Sequence, residues 1–88
     1  MKTIDEITDA DISNFLSGKK ARAAKSRKYV RGERVTPTDT RRKEMEYFFV
    51  TSMRWTPFSN PRCTTYGGYI LLNPRTGKLV SVTNIDRL

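Results

Sequence analysis

Apolar and polar positions alternate most regularly between Glu44 and Trp55. In EMEYFFVTSMRW the odd positions Met45, Tyr47, Phe49, Thr51, Met53 and Trp55 interleave with Glu44, Glu46, Phe48, Val50, Ser52 and Arg54. A period of two sends alternate side chains to opposite faces of a strand, and aromatic and β-branched residues suit that pleated surface. Met45, Phe48, Phe49 and Met53 also lie at helical spacing, with Asp39 or Thr40 as a cap. The composition favours the strand. TPFSNP breaks the run with two prolines. CTTYGGYILL reads as a second strand, and NPRTG as a tight turn, with Pro74 early and Gly77 late, into a third strand, KLVSVTN.

The N-terminal pattern is helical instead. Thr8 can cap free amides, Asp11 lies three residues on, and Ile7 and Ile12 are spaced as a hydrophobic staple. Asp9 and Asp11 sit at the positive end of the helix dipole. Ile12, Phe15 and Leu16 form one stripe, and Gly18 is a good terminator. Between them these signals predict an α+β fold: a short N-terminal helix covering a C-terminal three-stranded antiparallel sheet. The 88 residues suffice for a single small domain. Its parts are an acidic capped helix (1–18), a basic segment and loop (19–43) and a β-rich core (44–88).

Charge changes the picture in the middle third. GKKARAAKSRKYVRGER, Gly18 to Arg34, holds eight of the seventeen Lys and Arg residues and one acid, Glu33. From Lys19 to Lys28 the only apolar residues are Ala21, Ala23 and Ala24. Ala, Lys and Arg favour helix, and Ser17 can cap one, but nothing large is available to bury. The segment is therefore expected to be conditionally ordered, helical only when something holds it. YVRGERVTPTDT follows as extended chain with a turn at Gly32 and a loop around Pro37. Like charges at Lys25/Lys28 and Arg27/Arg31 weaken an unliganded helix, and a polyanion converts that repulsion into attraction by counterion release.

The chemistry the chain can carry is narrow. Histidine is absent, which excludes histidine-based triads, histidine general bases and histidine metal ligands. Cys63 is the sole cysteine, so it forms no internal disulfide and anchors no thiolate metal site. Capping accounts for at least two of the four acids of residues 1–18, and neither a metal nor another cofactor is expected. RTGK at 75–78 has the end of a phosphate-binding loop, but that motif needs Gly at position 72 and Ser or Thr at 79, and both are Leu. MKTIDEITDAD lacks the apolar core of a secretory signal, and the longest apolar runs, Tyr69 to Leu72 and the equally short Tyr47 to Val50, are too short to span a bilayer. A soluble cytoplasmic protein without a membrane partner is expected.

Two short stretches invite comparison with RNA-binding modules. In TYGGYILL, Gly68, Tyr69 and Ile70 fit the second half of the RNA-recognition-motif strand signature, while Thr65, Tyr66 and Gly67 depart from its first. Paired glycines there read as a bulge or a close backbone approach. GKKARAAKS resembles the Lys-Lys-x-x-Ala-Lys helix start of double-stranded-RNA-binding domains, although there the basic helix follows the strands and here it precedes them. The resemblance implies lysines that straddle phosphates.

The expected function is non-catalytic nucleic-acid binding, with RNA or a single strand favoured over duplex DNA because no helix-turn-helix spacing or zinc-finger ligand set appears. Phosphate contacts are expected from Lys19, Lys20, Arg22, Lys25, Arg27, Lys28, Arg31 and Arg34, extended by Arg41, Arg42 and Lys43. Tyr29, Trp55, Tyr66 and Tyr69 are candidates for base stacking. No catalytic residue is assigned. Two other classes fit the small size and skewed charge. One is an inhibitor or adaptor of the kind phages and mobile elements encode, docking on an acidic or nucleic-acid-binding surface of a host enzyme. The other is a histidine-free ribonuclease resembling ribosome-dependent toxins, which would need a base that this chain does not display.

Overall fold

Thr8 starts the helix as its sequence predicts. Its Oγ accepts from the Asp11 amide at 3.3 Å, and the Asp11 carboxylate accepts from the Thr8 amide at 2.9 Å, a reciprocal capping box. In this computed structural model, which describes residues 3–18, 21–38, 46–55 and 66–88, a short 3₁₀ turn (Ile4–Glu6) leads into helix α1 (Asp9–Leu16). Gly18, at φ 77°, takes the chain out of the helix through a conformation that costs other residues more. Among the described residues no helix is long and apolar enough to cross a membrane.

Among the described residues six strands follow, all antiparallel: β1 (Ala21–Ala24), β2 (Arg34–Pro37), β3 (Tyr47–Trp55), β4 (Tyr66–Asn73), β5 (Lys78–Val82) and β6 (Ile85–Arg87). The sheet order is β5-β4-β3-β2-β6, with β1 also paired to β3. One side of β3 is taken by β4, so β1 and β2 lie end to end along the other. Val35 is opposite Tyr47 near the start of β3, and Ala21 is opposite Trp55 at its end. The predicted three-stranded sheet is thus an undercount, because β1, β2 and β6 join it.

The helical expectation for the basic segment fails at its centre, where Ala21–Ala24 is a strand. Extended chain rises ~3.3 Å per residue against ~1.5 Å in a helix, which spreads the like charges apart. Pairing with the long β3 also satisfies backbone groups that a short solvated helix would leave at risk. Pro37 ends β2 instead of forming a loop. It is buried, and it lies past the last described β2–β3 pair, where a missing N–H costs no ladder bond.

The sheet must curl. Its edge strands β5 and β6 are four strand spacings apart in order, about 19 Å if flat. Yet only Thr83 and Asn84 join Val82 to Ile85, a reach of at most about 11 Å. Curling creates two cores. Tyr29, Val35, Tyr47, Phe49, Leu71 and Ile85 fill the inside of the curve, and Ile7, Ile12 and Leu16 pack over Val50, Ile70 and Leu72 on the outside.

A β-bulge divides β3 between these cores. Phe49 is opposite Leu71, but Thr51 is opposite Ile70, so Val50 is an extra residue in the ladder. Phe49 and Thr51, on one face by strict alternation, therefore lie on opposite faces. The bulge also brings Ser52 and Arg54 onto the face of Tyr69.

Candidate nucleic-acid interface

Beyond the bulge, one face of the sheet carries two cross-strand rows. The first is Arg22, Arg54 and Gly67, and the second is Ala24, Ser52, Tyr69 and Val82. Residues directly opposite one another share a face, with Cβ atoms about 5 Å apart. The small residues leave this part of the sheet hollow, while Arg54 and Tyr69 stand up from it. A groove of about 1020 Å³ results, with Lys25, Arg27, Arg54 and Tyr69 among its lining and Thr83 and Asn84 at one end. No Asp or Glu lines it among the described residues.

The loop after β1 sets Lys25 and Arg27 at the rim. The Ser26 hydroxyl accepts from the amides of Lys28 and Tyr29, both at 3.2 Å, and folds the chain back. Thr51 Oγ donates to the Ala24 carbonyl at 3.1 Å, tying the end of β1 to the bulge. Tyr29 then plugs the inner core and donates from its hydroxyl to the Ile85 carbonyl at 3.2 Å. Its burial to 6% exposure corrects the expectation that it stacks bases.

Glu33, the acid inside the basic block, is committed elsewhere. Its carboxylate lies 2.6 Å from Arg87 Nε, and the Arg87 guanidinium also donates to the Lys28 carbonyl and lies over the Tyr29 ring. The hydrogen bond that Arg87 donates to Glu33 holds the Arg87 pKa above its ordinary value, with the attraction of the carboxylate adding to it. This cluster staples β6 to the loop and leaves the groove cations unanswered. Arg22, Lys25, Arg27 and Arg54 have no ion-pair partner among the described residues.

The predicted phosphate-binding residues thus divide. Lys25 and Arg27 line the groove. Arg22 faces Arg54 across the ladder and also borders a smaller hollow between α1 and β1. Lys28 is exposed beside the Tyr29 ring, with Nζ 5.8 Å from its centre. Arg31 is held to the fold, Nε donating to the Val50 carbonyl at 3.2 Å. Arg34 lies 3.9 Å from Glu46 in an exposed pair that contributes little. Lys19, Lys20, Arg41, Arg42 and Lys43 lie outside the described residues, as do the side chains of Trp55 and Tyr66. Of the aromatic candidates, Tyr69 is half-buried at the groove, its ring edge-on to Tyr29 at 5.7 Å and to Phe49 at 6.3 Å.

Arg54 escaped the sequence reading because its face depends on the bulge. Without Val50 as an extra residue, alternation puts it on the side of Phe48. Gly67 and Ser52 were overlooked for a similar reason: they contribute space. The available signal was the two glycines, read as a structural device alone. Among the described residues no group of three or more His, Cys, Asp or Glu side chains is placed to hold a metal ion.

Compared with known proteins, the chain matches no family model, no curated protein and no solved structure.

Proposed function

We propose that the protein binds nucleic acid without cleaving it, preferring single-stranded RNA to duplex DNA, in the cytoplasm. The observation that carries this reading is the groove in which Lys25, Arg27 and Arg54 converge without an acid among its lining residues and with no ion-pair partner among the described ones. A fold gains nothing from such a cluster, and Arg22 directly opposite Arg54 costs it stability. A phosphodiester chain removes both penalties at once. The hollow shape and the half-buried Tyr69 favour an unstacked strand over the convex surface of a duplex.

The test is salt dependence. Five to eight cations of the basic block and groove meeting phosphates together give a slope of log affinity against log salt of about −3.5 to −5.5, at about −0.7 per contact on a single strand. Fluorescence anisotropy with a labelled single-stranded RNA measures it. A slope near zero removes the electrostatic mechanism, and a host protein retained after nuclease treatment instead of RNA supports the adaptor.

A further inference from the structure

The two adjacent glycines of β4 have different reasons to be glycine. At Gly68 an added Cβ would lie 3.1 Å from the Val82 carbonyl oxygen and 3.1 Å from Met53 Cε, a tight fit for which β5 and the Met53 side chain must give by a few tenths of an ångström. Gly68 is structural. At Gly67 an added Cβ meets nothing within 4 Å, and its φ lies outside the region that strains other residues. Glycine inside a strand weakens it, and any β-branched residue would serve the sheet better. Among the described residues nothing explains Gly67.

Its neighbours suggest what does. Gly67 is exposed, lines the groove, sits directly opposite Arg54 and precedes Tyr69 by one step on the same face. Bare peptide beside an aromatic ring and a guanidinium is a flat place with a cation at its edge. A planar group can lie on it, and a charge attached to that group can reach Arg54. Phosphate and base of one nucleotide meet both demands together. We propose that the groove contains a subsite for one unpaired base of a single strand, seated over Gly67 beside Tyr69, with the adjoining phosphate on Arg54. This rests on the nucleic-acid reading and adds that the base, not the phosphate chain alone, is recognised.

The test crosses a variant with a probe. Wild type and Gly67→Val are compared on a single-stranded RNA and on an abasic phosphodiester oligomer of the same length, with Gly67→Ala as a milder step. Thermal melting should first show both variants as stable as wild type or more so. Wild type should bind the RNA at least about fivefold more tightly than the abasic strand. Gly67→Val should remove that preference by weakening RNA binding about fivefold, with Gly67→Ala between, while abasic binding stays unchanged. Equal affinity of wild type for the two strands, or unaltered RNA binding by Gly67→Val, overturns the subsite and leaves the electrostatic reading standing. Binding of neither strand by wild type overturns the reading beneath it.

Discussion

Replacing Arg54 with Thr should make the protein more stable and a poorer binder. Arg22 and Arg54 are register partners on β1 and β3, and both are exposed. Their Cβ atoms start about 5 Å apart, and their flexible heads can splay to roughly 7 Å. Two unit charges at that distance in water repel by about 0.6 kcal/mol. At 10 mM salt, where the screening length is about 30 Å, most of this survives; at 150 mM, with a length near 8 Å, less than half does. Arg54→Thr should therefore raise stability by about 0.5 kcal/mol at low salt and about 0.2 kcal/mol at physiological salt. For a domain of this size that is roughly 2–4 °C and 1 °C in Tm. Thr also suits a strand better than Arg, but that gain does not depend on salt, so the difference between the two conditions isolates the repulsion. Arg54→Lys keeps the charge and should show no such salt-dependent gain. Affinity for single-stranded RNA should meanwhile fall roughly tenfold, with the salt slope shallower by about 0.7. A variant that is less stable at low salt would show that Arg22 and Arg54 do not repel, and one that binds RNA as well as wild type would show that Arg54 meets no phosphate.

Two further substitutions test the fold around the groove. Gly68→Ala forces a Cβ against the Val82 carbonyl and Met53, and should destabilise by about 1–3 kcal/mol in denaturant titrations. Tyr29→Phe removes the hydroxyl that donates to the Ile85 carbonyl and should cost about 1 kcal/mol. It should leave RNA affinity unchanged, since the ring is core.

What could be read from the chain was local, and what could not be read was tertiary. The Thr8–Asp11 capping box and the turn at Gly77 each depend on residues within a few positions, and both form as their sequences suggest. β1 was hidden because Ala, Arg and Lys favour helix intrinsically, and only the long edge of β3 makes extended chain the better choice. β6 spans three residues, too few to show a period, and exists because curling brings β2 within reach. The bulge at Val50 has no marker such as glycine, so alternation carried past it assigns Ser52 and Arg54 to the wrong face. The basic block was legible as composition. Its meeting with Arg54, Gly67 and Tyr69 was not, because that needs the strand register and the side chains that make room.

On the proposed function, this one face of the sheet receives a nucleic-acid strand. The backbone amide spectrum of the isotope-labelled protein, titrated with single-stranded RNA, tests it most directly. Binding in the groove should shift Arg22 to Lys28, Arg54, Gly67 to Tyr69, and Thr83 and Asn84, with Asp9 to Leu16 of α1 unmoved. Shifts confined to α1, or an unchanged spectrum at saturating RNA, would contradict it.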